Sequence, residues 1–232
     1  MVAQCDNIFQ APGGPLQERE RMRQVEFFFD YISPYAFLAW EDTKRIAKEH
    51  RVEVVPKPIL FAALLNHNDT RGPAEIASKR RYLFVDLLRK AEFLGLELNV
   101  PATHPFNPLL ALRATCAADA ATRGEVVSKL FAAVWRDVAD VNDVETYEAL
   151  GLGKLVTKAS NAEVKQQLRS NTDEAIRDHI FGVPTLRFEG ELFWGVDNLP
   201  FLEERLGGKS GPELEKVKYW EDLEASATRP KK

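Results

Sequence analysis

The sequence predicts an α/β fold in which a small β-sheet is interrupted by a large all-helical insertion. Three observations lead to this prediction. The apolar, aromatic-rich run Val25–Phe29 is typical of a buried strand. Helical periodicity dominates residues 59–180, and two half-apolar runs around Glu189-Gly190 indicate a β-hairpin. With 232 residues, 45% hydrophobic and 28% charged, the chain is long enough for one large domain or a core domain with an insertion.

The first strand and the first helix are predicted to meet at a short turn. Asp30 follows the run Val25–Phe29, and Ser33-Pro34 then opens a helical pattern. Ser followed by Pro is a favoured pair at the start of a helix. Val52–Lys57 predicts a second strand, which should pair parallel to the first because a helix connects the two.

The rest of the chain is predicted to hold helices, then the hairpin, then a last helix. The hairpin spans Val183–Gly195, and Asp197 is predicted to cap a helix at Asn198–Leu206. The clearest helical segments of the insertion are Pro73–Leu94, Asn107–Ala121, Glu125–Trp135 and Ala162–His179.

This order of elements is typical of a thioredoxin-like fold. We therefore predict a thioredoxin-like domain from residues 25–58 and 181–206, with a helical insertion domain at 59–180 between its halves. Residues 1–24 are predicted to be a flexible leader, which lacks the basic start and apolar core of a secretory signal. Residues 207–232 are predicted to be a charged tail.

Charge and composition argue against several classes of function. The formal net charge of −4 does not fit an electrostatic nucleic-acid footprint, and no apolar run reaches the roughly 18 residues of a membrane span. The two cysteines, Cys5 and Cys116, lie in no motif, and the histidines show no metal-ligand spacing. We expect no metal, no nucleic-acid partner and no membrane contact, and we expect a cytoplasmic location.

The turn before the first helix is a candidate thiolate site. Thioredoxin-like redox proteins place Cys-x-x-Cys where the first strand feeds the first helix, because backbone N–H groups and the helix dipole stabilise a thiolate there. Here the four residues are Ser33-Pro34-Tyr35-Ala36, so a disulfide oxidoreductase is not expected and the sulfur must come from a bound molecule. Ser33 is either a helix cap alone or also a hydrogen-bond donor to that sulfur.

Two later segments fit a bound thiol peptide. In thioredoxin-like proteins the proline corresponding to Pro184 is cis, and the residue before it, here Val183, turns its backbone toward a bound peptide's cysteine. Asp197 is either a plain helix cap or the partner of a ligand ammonium, while free N–H groups at the helix start hold a carboxylate. A γ-glutamyl group carries both charges on one carbon.

These motifs, in this order, resemble the 2-hydroxychromene-2-carboxylate isomerase family. That family is closely related to kappa-class glutathione transferases and more distantly to DsbA-type oxidoreductases. The resemblance runs from about Val25 to Leu206. Its matching segments are Phe28–Tyr35, Gly72–Ile76, Lys79–Tyr82, Pro105–Arg113, Asn171–Ala175, Phe181–Thr185 and Phe193–Asn198.

The resemblance implies glutathione as the cofactor and a role for each matching residue. Ser33 resembles the residue that activates the glutathione sulfur. Val183 would bind the cysteinyl backbone, with Pro184 as the cis proline. Asp197 and Asn198 would hold the γ-glutamyl end.

Four further residues have two interpretations each. Lys79 resembles a lysine near the glycyl carboxylate, or it is a solvated helix charge. Tyr35, Trp135 and Trp194 would wall a pocket for an aromatic substrate, or they are simply core residues.

The implied function is a glutathione-dependent isomerase of aromatic ring-cleavage products. In such an isomerase a glutathione thiolate adds reversibly to a conjugated carbon of a small aromatic carboxylate, and the geometry changes before elimination. Two alternatives stay open: a kappa-type glutathione transferase or peroxidase, and a non-catalytic glutathione-binding protein. A homodimer is expected by analogy alone.

Overall fold

The sheet of the computed structural model, which describes residues 23–221, 223–224 and 227, contains four strands. Their order is β2-β1-β3-β4, with β1 parallel to β2 and antiparallel to β3. Strands β3 and β4 form an antiparallel hairpin. The predicted parallel pair and the predicted hairpin are confirmed, whereas the predicted leader lies almost entirely outside the described residues. The strands are β1 (Gln24–Phe29), β2 (Glu53–Pro58), β3 (Thr185–Phe188) and β4 (Glu191–Trp194).

Ten α-helices occur in the described part of the chain. Helix α1 connects β1 to β2, helices α2 to α8 lie between β2 and β3, and α10 lies in the predicted tail, where no helix was expected. None of the helices in the described ranges combines the length and apolarity that crossing a bilayer requires. The helices are α1 (Pro34–His50), α2 (Phe61–His67), α3 (Ala77–Leu94), α4 (Leu109–Ala117), α5 (Ala120–Trp135), α6 (Val144–Ala149), α7 (Gly153–Lys158), α8 (Ala162–Arg177), α9 (Leu199–Leu206) and α10 (Leu214–Glu221).

The boundary between α4 and α5 differs from the prediction. The single helix predicted at Asn107–Ala121 ends at Ala117, and α5 already begins at Ala120. Asp119 separates them because its backbone is extended, with φ −62° and ψ 148°. The chain therefore turns a corner there without a glycine or a proline. The short helices α6 and α7 were not predicted.

Aromatic side chains join the helical block to the sheet. The ring of Phe29 on β1 lies 5.4 Å from that of Phe131 on α5 and 5.2 Å from that of Tyr31, measured between centroids. Phe27 packs against Trp40 of α1 at 5.2 Å. All five side chains are at most 2% exposed. Truncating one such buried ring lowers the free energy of unfolding by about 3–5 kcal/mol. This packing therefore fixes β1 firmly, up to the turn that follows it.

A cluster of charged side chains ties three strands to α8. Arg187 of β3 contacts Glu26, Glu174 and Asp178, and Lys57 of β2 contacts Glu26 and Glu174. The Arg187 side chain is only 17% exposed. Its hydrogen bonds to Glu26 and, despite opposing burial, to Glu174 raise the pKa of the guanidinium. The cluster therefore fixes the end of α8, which leads directly into the segment before β3.

Candidate functional site

A cavity of about 990 Å³ opens where β1 leads into α1. Its walls come from the turn after β1, the segment between α2 and α3, the loop before α4, and the turns on either side of the β3–β4 hairpin. This volume lies at the upper end of the roughly 300–1,000 Å³ typical of small-molecule sites. Six residues predicted to bind glutathione or its sulfur line this one cavity: Ser33, Lys79, Val183, Pro184, Asp197 and Asn198.

Ser33 caps α1 and also contacts the hairpin segment. Its Oγ accepts a hydrogen bond from the backbone N–H of Ala36 at 3.2 Å and donates to the Val183 carbonyl at 3.3 Å. The second distance exceeds the usual O–H···O range of about 2.5–3.0 Å. The hydroxyl proton can therefore turn to a better acceptor at little cost, while the capping bond stays in place.

The Val183-Pro184 peptide bond is cis, as predicted. The Pro184 carbonyl accepts a hydrogen bond from the Gly195 N–H at 2.9 Å, which joins this segment to the end of β4. The Val183 N–H has no hydrogen-bond partner among the residues that the structure describes. Because Val183 also lines the cavity, its amide can bind a carbonyl group of a ligand.

Asp197 does not cap the last helix, contrary to the prediction. Val196–Asn198 form a 3-10 turn, and α9 begins at Leu199 with Asn198 in the capping position. Pro200 favours this start, because proline is preferred in the first turn of a helix. The Asp197 side chain is instead 77% exposed, and its Oδ1 lies 3.2 Å from Lys90 Nζ.

Asn198 shapes this turn through two hydrogen bonds. Its side-chain Nδ2 donates to the Trp194 carbonyl at 2.6 Å, and its backbone N–H donates to the Gly195 carbonyl at 3.3 Å. The side-chain amide and the backbone N–H of Asn198 therefore both donate to carbonyl groups of the same turn. Its place in the site is to hold the backbone around Asp197.

Asp86 and Lys90 of α3 link Asp197 to α1. Lys90 Nζ lies 2.9 Å from Asp86 Oδ2, and Tyr35 Oη donates to the same oxygen at 2.7 Å. Burial opposes ionisation of Asp86, but the hydrogen bonds from Tyr35 and Lys90 outweigh it and lower the pKa of that carboxyl. Nothing in the sequence singles out this pair, because Asp and Lys four residues apart occur on many solvated helices.

Asp30, which the sequence places only as the residue after β1, is a buried carboxyl in the wall of the cavity. Its side chain is 1% exposed. Oδ1 accepts from the Ile32 N–H at 3.1 Å and Oδ2 from the Phe61 N–H at 3.0 Å, which ties the turn after β1 to the start of α2. Burial raises the pKa of Asp30 to about 7, although both hydrogen bonds act in the opposite direction.

The aromatic wall differs from the predicted one. Tyr35 and Trp194 line the cavity, but Trp135 does not. Trp135 is completely buried, and its Nε1 donates to the Tyr31 carbonyl at 2.9 Å. Trp135 is therefore a core residue, as the second of its two interpretations has it, and only its assignment to the pocket is wrong. His104, whose ring centroid lies 5.5 Å from that of Trp135, lines the cavity in its place.

A family match, two relatives and one solved structure relate this chain to known proteins. The DSBA-like thioredoxin domain matches residues 24–207. Glutathione S-transferase kappa 2 of Caenorhabditis elegans is 30% identical over 224 residues, covering 83% of this chain and 96% of that protein. A 2-hydroxychromene-2-carboxylate isomerase of Pseudomonas sp. (strain C18) is 31% identical over 193 residues, covering 79% and 90%. A solved structure of 2-hydroxychromene-2-carboxylate isomerase has a TM-score of 0.72 and 25% identity, covering 87% of this chain and 100% of that one.

Proposed function

Because the chain belongs to the DSBA-like thioredoxin domain family, together with 2-hydroxychromene-2-carboxylate isomerases and kappa glutathione transferases, we propose that it is a glutathione-dependent isomerase. The substrate class is small aromatic carboxylates of the 2-hydroxychromene-2-carboxylate type, which arise from aromatic ring cleavage. The observation that supports this most directly is that Ser33, Val183 and Asp197, far apart in the sequence, line one cavity.

Three polar groups of glutathione have a counterpart in the cavity. The exposed Asp197 carboxylate matches the ammonium of the γ-glutamyl residue. The Val183 N–H matches the cysteinyl carbonyl, and Lys79, exposed on α3 and also in the wall, matches the glycyl carboxylate. Asn198 contributes by holding the turn that carries Asp197.

When bound, glutathione supplies a thiolate that adds reversibly to a conjugated carbon of the substrate. Ser33 turns its hydroxyl from the Val183 carbonyl to the sulfur, and the N-terminus of α1 adds partial positive charge. A hydroxyl donor to a charged group contributes about 1.5–3 kcal/mol, and the helix start about 0.3–1 kcal/mol. Together they lower the pKa of a thiol, ordinarily about 8.5, by roughly two units.

A second candidate is a kappa-type glutathione transferase or peroxidase. The similarity to glutathione S-transferase kappa 2, which covers 96% of that protein, favours it. The same residues would prepare the thiolate, but the product would be a released conjugate or a reduced peroxide.

For either enzyme we propose a cytosolic location, where thiols are kept reduced. The homodimer remains a prediction. Light scattering on the purified protein would measure its mass and test this.

Calorimetry with glutathione tests the site before any reaction is assayed. We expect the wild type to bind glutathione and Asp197→Asn to bind it about tenfold more weakly, because one charge-assisted contact is lost. The matched control is Asp173→Asn, an exposed acid on α8 outside the cavity, which should bind like the wild type. Absence of glutathione binding by the wild type contradicts the proposal.

Two reactions then separate the candidates. Isomerisation of 2-hydroxychromene-2-carboxylate without conjugation of 1-chloro-2,4-dinitrobenzene supports the isomerase. Conjugation without isomerisation supports the transferase. Binding of glutathione with neither reaction supports a non-catalytic glutathione-binding protein.

A further inference from the structure

Two large aromatic side chains stand exposed at the cavity, next to the segment that holds Val183. Phe181 and Trp194 are 53% and 51% exposed, and both line the cavity. Their ring centroids lie 4.9 Å apart at an interplanar angle of 60°. Each ring covers part of the other, yet about half of each residue is left in water, where apolar surface is unfavourable.

Trp194 is held in this place by its surroundings. Its carbonyl accepts the Asn198 Nδ2 hydrogen bond at 2.6 Å, which fixes the backbone. A Cβ atom on Gly182 would lie 2.5 Å from Trp194 Nε1 and 3.2 Å from its Cε2. The indole therefore rests on the one residue of this segment that has no side chain, so any larger residue at position 182 must displace it.

The aromatic pair lies next to the proposed position of the sulfur. Phe181 and Gly182 immediately precede Val183, whose carbonyl is 3.3 Å from Ser33 Oγ. Because the Trp194 indole lies on Gly182, one residue before Val183, a ring attached close to the sulfur is near the exposed face of Trp194. Aromatic rings at centroid distances of about 4.5–7 Å gain attraction beyond the area they bury.

We propose that Trp194, positioned by Gly182 and backed by Phe181, is a specificity-determining residue that receives the aromatic ring of the second substrate. The inference rests on the proposed function, because it assumes a glutathione sulfur beside Ser33. It assigns the ring of the substrate to this exposed face, on the hairpin side of the cavity. Gly182 is required indirectly, since it leaves the space in which the indole lies.

Calorimetry with two glutathione derivatives tests the assignment without any turnover. S-methylglutathione carries the tripeptide and a small substituent, whereas S-benzylglutathione adds one aromatic ring beside the sulfur. We expect the wild type to bind the benzyl derivative about tenfold more tightly. In Trp194→Leu this preference should fall to about twofold, while the affinity for S-methylglutathione stays unchanged. Trp194→Phe, which retains a ring, should keep most of the preference.

Two more variants complete the design. Gly182→Ala should lower the preference as Trp194→Leu does, because the added methyl group displaces the indole. The matched control is Trp220→Leu, which removes a 63% exposed tryptophan on α10 away from the cavity and should keep the tenfold preference.

The remaining outcomes separate this inference from the proposed function. Failure of the wild type to bind either derivative overturns the proposed function and the inference with it. Equal binding of both derivatives by the wild type, or an unchanged preference in Trp194→Leu, overturns the inference alone. Equal weakening of both derivatives in Trp194→Leu also overturns it, because Trp194 would then act through the tripeptide subsite.

Discussion

The free energy of unfolding of the wild type should fall between pH 5 and pH 8 because of Asp30. Replacing Asp30 with Asn should remove this fall. Burial raises the pKa of Asp30 to about 7 in the folded protein, whereas an unfolded Asp titrates near 3.9. In this window the folded chain binds the proton more tightly than the unfolded chain does. The free energy of unfolding therefore falls as pH rises, and the fall ends above the folded pKa.

These two pKa values set the size of the effect. The group is almost fully protonated in the folded state at pH 5 and almost fully ionised at pH 8. At about 1.36 kcal/mol per pH unit, the free energy of unfolding of the wild type falls by roughly 2–3 kcal/mol over this range through Asp30 alone. Asn cannot ionise, so the variant lacks this fall.

Urea unfolding of both proteins at pH 5, 6, 7 and 8 measures the effect. The amide of Asn replaces one acceptor oxygen by a donor facing a backbone N–H, which costs about 1–3 kcal/mol at every pH. That offset cancels when the difference between variant and wild type is followed across pH. We expect this difference to move by roughly 2–3 kcal/mol in favour of the variant from pH 5 to pH 8. A difference that stays flat would refute the argument, and Asp173→Asn, on the exposed face of α8, serves as the control.

Substitutions at three further positions test the site, the fold and the thiol chemistry: Ser33, Arg187 and Cys116. In Ser33→Ala the ultraviolet absorbance of bound glutathione thiolate should titrate about one to two pH units higher, and an unchanged titration would leave Ser33 as a helix cap. Arg187→Met should cost about 3 kcal/mol in urea unfolding because it removes a cation that is only 17% exposed and leaves Glu26 and Glu174 with Lys57 as their remaining partner. Arg45→Met, at a side chain 47% exposed that also meets three acids, should cost less than about 1 kcal/mol. Cys116→Ala should change glutathione-dependent turnover less than about twofold, since burial raises the pKa of that thiol to about 11; a larger loss would point to a different nucleophile.

Local patterns were sufficient to predict the sheet. The aromatic run that becomes β1 is buried on both faces, so its strand signal did not depend on the rest of the chain. Glu189 and Gly190 both adopt positive φ, 50° and 83°, as a tight hairpin turn between two strands requires. The cis bond before Pro184 followed from a resemblance at five consecutive residues. In each case the signal lies within a few consecutive residues of the sequence.

Features that depend on distant contacts were missed or mistaken. Trp135 has the apolar character that a residue of the cavity wall would also have, and only its contacts with His104 and with the turn after β1 place it in the core. Asp86 and Lys90 acquire a role only because the turn holding Asp197 meets α3. The raised pKa of Asp30 needs burial from several elements at once. Single-sequence patterns contain no information about these contacts, because each joins residues far apart in the chain.

Under the proposed function, the hydroxyl of Ser33 explains how a fold without Cys-x-x-Cys at this turn can stabilise a thiolate. The capping bond to Ala36 uses an acceptor lone pair of Oγ, while the bond to Val183 uses its proton. Capping the helix and donating to a sulfur therefore do not compete. The start of α1 also keeps its partial positive charge whichever residue precedes Pro34. Under the proposed function, a serine at this position preserves the stabilising environment of a thiolate, and glutathione supplies the sulfur.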